Sequence, residues 1–282
     1  MAPVTNSRLR VYFGHHKCMT TWVRHVLQRV CNELSWNYVE MNISGSEYVR
    51  RNKVDMLSYQ DPDMEIVRTF EDFVGFHIIR DPRDIVVSAY FSHLHSHATD
   101  NWPELSAYRA ELQKLSKDDG LLLEMEFLRR EFKQLYEWDY AQENVLELKM
   151  EDVVANPYDQ IVRALLFIEA AAENTPLKTR LLAAVASGIR DLGYLYRIPS
   201  IVVPKYVLPK IPVEFLLGYI YEIRFSEMTK GRGRGMEDAC SHYRKGVAGD
   251  WVNHFKPQHK EYFKKNYNDV LLKLGYESTS DW

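Results

Sequence analysis

Val11-Tyr12-Phe13-Gly14-His15-His16-Lys17-Cys18-Met19-Thr20-Thr21-Trp22-Val23 decides the fold class of this chain. Leu9 to Phe13 is a short run of strand formers, stopped at Gly14. From Thr20 to Leu34 the apolar residues Val23, Val26, Leu27, Val30 and Leu34 recur at helical spacing. The reading is strand, tight turn, helix, with His15 to Met19 in the turn. Such a turn aims backbone N–H groups at one point, and the helix N-terminus adds partial positive charge. Lys17 adds a full charge, and Thr20 and Thr21 add hydroxyl donors. The segment is therefore a candidate phosphate cradle. The plain alternative is a strand-to-helix turn with an exposed lysine. It is not a nucleoside-triphosphatase loop, because Gly-x-x-x-x-Gly-Lys-Ser/Thr is absent.

Working outward, Val74 to Ile79 reads as a second strand. It runs into Arg80-Asp81-Pro82-Arg83-Asp84-Ile85-Val86-Val87-Ser88. Pro82 fits the first turn of a helix and Asp81 its N-cap. An arginine at the end of a strand is well placed for an anion in the crevice of an open sheet, and its planar fork suits a phosphate. Arg83, among acidic neighbours, reads instead as an ion-pair residue. Asn144 to Lys149 is a third strand. Helices are expected over Ile85–Leu94, Phe127–Tyr140, Tyr158–Ala172, Pro176–Gly188, from Val213 onward, and Glu261–Leu274. Strands alternating with helices predict a single α/β domain over 1–282, with a mainly parallel central sheet flanked by helices and a P-loop-like strand-loop-helix. The stretch 194–225, with Pro199, Pro204, Pro209 and Pro212 among large apolar residues, reads as a cover over the sheet edge or an acceptor pocket. A third basic segment, His242-Tyr243-Arg244-Lys245-Gly246-Val247-Ala248-Gly249-Asp250-Trp251, joins two cations to glycines that let backbone approach an anion closely.

Composition narrows the field. The 282 residues are 46% hydrophobic, enough for a sizeable core, and the formal net charge is -3. No global basic field gathers nucleic acid, so an anionic ligand must be held locally. Three cysteines, Cys18, Cys31 and Cys240, show no metal spacing and no disulfide framework. The polar stretch 1–10 has no apolar signal core, and no run of about 18 apolar residues occurs. A cytoplasmic location is expected.

Taken together, the three segments resemble those of the sulfotransferases that use 3′-phosphoadenosine 5′-phosphosulfate (PAPS). His16-Lys17-Cys18-Met19-Thr20-Thr21-Trp22 resembles the family's 5′-phosphosulfate loop, usually Pro-Lys-Ser-Gly-Thr-Thr-Trp. Arg80 and Ser88 resemble its 3′-phosphate arginine and serine, eight residues apart, and Arg244-Lys245-Gly246 with Gly249-Asp250-Trp251 resembles its C-terminal loop. The resemblance implies transfer of a sulfuryl group to a hydroxyl or amine of a small-molecule acceptor, aromatic or apolar in character, with release of 3′-phosphoadenosine 5′-phosphate (PAP) and no metal. It implies Lys17 at the 5′-phosphate and the leaving oxygen, and His16, Cys18, Met19, Thr20 and Thr21 around them. Trp22 and Phe225, in Arg224-Phe225-Ser226-Glu227-Met228, would flank adenine, with ordinary core packing as the alternative. Arg80, Ser88, Arg244, Lys245 and Gly246 would hold the 3′-phosphate.

Three departures stand out. Cys18-Met19 replaces Ser-Gly, so Met19 must accept a turn geometry glycine normally supplies. Met150 stands where many members have a tyrosine, and Arg224 where many have serine or threonine.

A hydroxyl acceptor needs a general base. The family commonly places a histidine in Lys-Thr-His-x-Pro; the corresponding stretch here is Ser58-Tyr59-Gln60-Asp61-Pro62. Asp61 and His93 are the leading candidates, with His95, His97 and His16 also in range. The acceptor is expected against Tyr90, Phe91, His93, Trp102 and the proline-rich stretch. Two rivals are a P-loop small-molecule kinase, which lacks its lysine spacing and magnesium-binding hydroxyl here, and a catalytically inactive PAP-binding module.

Overall fold

The computed structural model describes residues 8–41, 46–100, 102–182, 184–185, 188 and 208–282. The opening strand β1 (Leu9–Gly14) is buried along its whole length, because it lies at the centre of the sheet. It pairs in parallel with β3 (Met56–Gln60) on one side and β4 (Phe73–Ile79) on the other, in registers that set Val11 opposite Leu57 and Gly75. β2 (Tyr38–Met41) and β5 (Val145–Lys149) form the edges, giving the order β2-β3-β1-β4-β5, all parallel. The central strands β1 and β4 are mostly apolar and buried along their whole length, as a sheet covered on both faces requires, while β2, β3 and β5 mix in polar residues.

Helix α1 (Thr20–Leu34) lays Val23, Val26, Leu27 and Val30 on one face of the sheet, against Tyr12, Phe76 and Ile78. The opposite face buries Val11, Phe13, Leu57, Tyr59 and Trp138. α2 (Ser46–Arg51) and the single turn α3 (Met64–Val67) flank β3 in sequence. α4 (Pro82–Phe91) begins as expected, with Pro82 in its first turn and the Asp81 carboxylate accepting from the Arg83 N–H. It does not run regularly to Leu94; Ser92–Ser96 widens into a π-helical turn. A third core forms where α4 packs with α5 (Pro103–Leu112), α6 (Lys117–Phe127), α7 (Arg129–Glu137) and the closing helix.

The structure redraws several expected boundaries. β2 and β3 are strands that the pattern did not announce. The helix expected over Phe127–Tyr140 is α7, separated from α6 at Leu128, and α6 starts on a Ser116 cap that accepts from the Asp119 N–H. After α8 (Met150–Ala155), α9 (Pro157–Phe167) ends five residues short of Ala172. Glu169 takes a left-handed turn, and Ala171–Ala172 becomes β6, paired in parallel with β7 (Ile211–Pro212). α10 (Val213–Glu222) starts where expected and is followed by the turn α11 (Phe225–Met228). α12 (Pro257–Lys273) closes the chain one turn earlier than the apolar pattern begins. Of the proline-rich cover and the Pro176–Gly188 helix, residues 183, 186–187 and 189–207 lie outside the described residues. No helix among the described residues is long and apolar enough to cross a membrane.

Candidate active site

β1 and β4 lie side by side at the middle of the sheet, and the loops leaving their C-terminal ends diverge into α1 and α4. Divergence at that edge leaves a crevice, the usual ligand position in an open parallel sheet. Lys17, Thr20, Thr21 and Trp22 from the first loop line it together with Arg80 and Ser88 from the second and Arg244, Lys245 and Gly246 from near the C-terminus. The cavity measures about 870 Å³. Segments more than 220 residues apart in sequence thus meet at one cavity.

The loop that carries Lys17 is unusual in its backbone. Lys17 and Met19 both take left-handed conformations, at φ 63° and 67°, a region in which a side chain costs about 1 kcal/mol or more. Met19 thus adopts the turn that glycine would adopt freely. Cys18 between them points into the protein and is fully buried; burial pushes its thiol far above the ordinary range. It is an anchor for the turn and does not line the cavity. Its N–H donates to the His15 carbonyl at 3.0 Å, and an Arg80 N–H donates to the Lys17 carbonyl at 3.1 Å, fastening the two loops to each other. α1 has no side-chain cap and no acidic residue in its first turn, so its positive end is left uncompensated by the protein.

Electrostatics follow from burial. The Lys17 ammonium is lowered to about 7, first by burial and then by Arg80, with Glu124 opposing. A lysine held that low is primed to gain its proton when an anion arrives. Arg80, 6% exposed, stands 3.9 Å from the Asp84 carboxylate, a distant ion pair. Asp84 is committed elsewhere: its carboxylate accepts from the Gly249 N–H at 2.6 Å and the Trp251 N–H at 2.8 Å, hanging the C-terminal loop on α4. Arg244 and Lys245 face the cavity but share Asp250, each at 2.5 Å. Although burial opposes ionisation, Lys245, Asn253 and Arg244 hold the Asp250 carboxyl far below its usual range. Arg83 does not line the cavity. It pairs with Asp81 at 2.8 Å and with Glu277, and lies over Trp251 at 3.9 Å.

Two aromatic residues singled out in the sequence stand at this end of the cavity. Trp22 is 7% exposed and donates its indole N–H to the Ile223 carbonyl at 2.8 Å. It serves the core and the cavity wall at once. Phe225 lies so close to Gly246 that a Cβ there would come within 2.5 Å of its ring, so Gly246 is required by contact as well as by its φ of 67°.

At the other end stand Gln60, Asp61, His16, His97, Trp102, Arg130, Glu131 and Gln134. Of the aromatics expected around an acceptor, Trp102 lines the cavity. Tyr90, Phe91 and His93 do not: Tyr90 packs on Gly120, Phe91 lies under Arg244, and His93 is fully buried behind His16. Among the described residues this end is more polar than the expected flat apolar pocket. Glu131 is raised to about 7, chiefly by burial, and one oxygen each of Glu131 and Gln134 is buried without a partner. Asp61 accepts from the His16 N–H at 2.9 Å, and burial raises its carboxyl. Arg130, Glu131, Gln134 and Glu124 were not foreseen from the sequence, and His242 stood there only as the first residue of the third basic segment. Glu124 left a signal that it shares with Glu126: both carboxylates lie inside the apolar run Leu121–Phe127, and in the structure Glu124 is the fully buried one.

The cavity thus gathers a lysine, two threonines, a helix end, an arginine, a serine, a basic glycine loop and two aromatic side chains, a donor set whose chemistry fits an adenosine bisphosphate. No protein-family model and no curated protein sequence matches the chain. Among solved structures, mouse sulfotransferase SULT7A1 complexed with PAP is similar over 95% of this chain and 87% of its own, with TM-score 0.50 at 15% identity. Retinol dehydratase in complex with androsterone and inactive cofactor PAP is similar over 95% of this chain and 83% of its own, with TM-score 0.49 at 14% identity. The chain has the α/β fold of the cytosolic-type sulfotransferases.

Proposed function

We propose that this protein is a PAPS-dependent sulfotransferase, transferring a sulfuryl group to a hydroxyl or amine of a small-molecule acceptor and releasing PAP, and that it works in the cytoplasm. The observation that supports this reading most is the convergence of the Lys17 turn, Arg80 with Ser88, and the Arg244–Gly246 loop on one cavity. Arg80 and Ser88 bind the 3′-phosphate, with Arg244 and Lys245 released in part from Asp250 to join them. Lys17, Thr20, Thr21 and the first turn of α1 bind the 5′-phosphate, and Trp22 and Phe225 flank the base.

Sulfuryl transfer requires nucleophile, sulfur and leaving oxygen in line, and neutralisation of charge growing on the leaving phosphate. Lys17 supplies that neutralisation: the bound phosphates restore its proton, and the charged ammonium stands at the leaving oxygen. The acceptor occupies the end lined by Asp61, His16 and Trp102; Asp61 and His16 can receive its proton directly, whereas His93, buried behind His16, can do so only through His16. Gln60, Glu131 and Gln134 favour an acceptor with several hydrogen-bond donors over a purely apolar one.

Calorimetry with PAP, PAPS and ATP, followed by mass spectrometry for sulfuryl gain on a panel of phenols, alcohols, amines and amino sugars, tests the reading. PAP binding with transfer to at least one class is expected. Preference for ATP would establish the kinase instead, and PAP binding with no transfer anywhere would establish an inactive nucleotide-binding module.

A further inference from the structure

Behind the cavity wall lies a chain of buried hydrogen bonds. Glu124, fully buried on α6, receives the Tyr108 hydroxyl at 3.0 Å on one oxygen and His93 Nδ1 at 2.8 Å on the other. His93, also fully buried, meets His16 through Nε2 to Nε2 at 3.0 Å. The two rings lie nearly parallel, 21° between planes and 5.1 Å between centroids. Trp102 stands edge-on to both, and Phe127 packs on His93. Arg109 clasps the carbonyls of His93 and His97, fixing the turn from which His93 projects. Of the hydrogen-bonded groups Tyr108, Glu124, His93 and His16, it is His16 that lines the cavity, next to Lys17.

We infer that His16 is the group that takes the acceptor's proton, and that His93 and Glu124 are positioning residues that set its tautomer and share the charge. This rests on the sulfotransferase reading above. An ionised Glu124 can only accept, so His93 carries its proton on Nδ1 and offers a lone pair at Nε2. His16 must then carry its proton on Nε2, which leaves Nδ1 as the base. In the transfer step the acceptor's O–H or N–H bond breaks and its proton goes to His16 Nδ1. The acceptor's oxygen or nitrogen bonds to sulfur as the bond from sulfur to the 5′-phosphate oxygen breaks, and Lys17 compensates the charge left on that oxygen. The Nε2 proton of His16 can pass to His93 Nε2, where the resulting imidazolium sits against Glu124. After product leaves, the proton returns through His16 to solvent.

The charged and titratable groups facing His16 are Lys17, His93, His97, His242 and, through the backbone, Asp61. Burial and the first four all oppose a second proton on the imidazole, so the neutral form prevails at neutral pH and the relay to Glu124 supplies the missing basicity. A second buried chain provides an internal control. Glu147 receives His77 Nδ1 at 2.7 Å, and His77 meets His15 at 2.8 Å. That chain stops short of the cavity: His15 Nδ1 is 3.9 Å from Asp61 and has no partner. It has the same chemistry without access to substrate.

The test uses the full chain with PAPS and an acceptor found in the panel. His16→Gln should lower kcat about 100-fold or more, the scale of general-base catalysis, with PAP affinity kept within about threefold. Glu124→Gln should lower kcat about 10- to 100-fold and shift the acid limb of the kcat–pH profile, a limb that wild type shows below 6.5 because the base must be neutral. Glu147→Gln should leave that limb in place. Nitrogen-15 spectra of histidine-labelled wild type with PAP should show His16 as the Nε2–H tautomer, which needs no variant to fold. If wild type turns over while His16→Gln keeps its rate and profile, or if the spectra show Nδ1–H on His16, the inference falls and the sulfotransferase reading stands. If wild type binds PAP and transfers to nothing, the reading itself falls and takes this inference with it.

Discussion

Lys17 offers the sharpest quantitative prediction. In the free protein its ammonium titrates at about 7, because burial and Arg80 disfavour the charge. A bound 5′-phosphate brings negative charge within contact distance and pushes the group back toward the ordinary lysine range. The lysine is then deprotonated when free at alkaline pH and protonated when bound, so PAP binding takes up protons and weakens as pH rises through 7. With the bound value well above 9, uptake should be about half a proton at pH 7 and about 0.9 at pH 8. Affinity should fall about fivefold between pH 7 and 8 and about ninefold between 8 and 9. Calorimetric titrations with PAP at pH 7.5–9, in buffers of different ionisation heat, measure the uptake directly. The phosphates are fully ionised in that window, so they do not contribute. Lys17→Met should abolish the uptake and flatten the pH dependence, which separates Lys17 from His16 and His242. Zero uptake at pH 8 in wild type, or equal uptake in Lys17→Met, would refute the reasoning.

Three further outcomes are expected. Arg80→Ala should weaken PAP binding by about 2 kcal/mol, the scale of charged hydrogen bonds, measured at temperatures where the variant is folded; unchanged affinity by calorimetry would remove the 3′-phosphate assignment. Gly246→Ala forces a methyl group into the Phe225 ring and a left-handed backbone onto alanine, so PAP affinity should drop at least tenfold, read by the same titration. Leu27→Ala, deep in the core between α1 and the sheet, should cost about 2–5 kcal/mol in urea unfolding without altering PAP affinity at temperatures where the protein is folded.

What could be read from the sequence divides along physical lines. The strand-turn-helix over Leu9–Leu34 was legible because apolar spacing changes from continuous to helical across one glycine, and its bounds hold in the structure. The Asp81 cap and the Pro82 first turn were legible because capping chemistry is local. β3 was not: Met56-Leu57-Ser58-Tyr59-Gln60 is short, mixes polar with apolar residues, and becomes a strand by pairing with β1 on one side and β2 on the other. The division between α6 and α7 was hidden because both sides are good helix formers and the break at Leu128 is imposed by packing. At the site, Lys17, Arg80 and Arg244 announced themselves as cations beside turns and glycines. The relay did not, since Glu124, His93 and His16 are separated by 31 and 77 residues and are brought together only by the π-helical turn and the packing of α5 and α6.

The bond from Asp84 to the backbone of Gly249 and Trp251 crosses 165 and 167 residues of chain. Its consequence concerns modularity. The first ninety residues contain the loops at Lys17 and Arg80, yet they cannot be cut out as an autonomous ligand-binding piece, because trimming the tail would strand an ionised carboxylate in the interior with neither of its amide donors. A premature stop ahead of residue 249 should therefore loosen α4 itself, whereas a nick that leaves the tail seated keeps both donors in place.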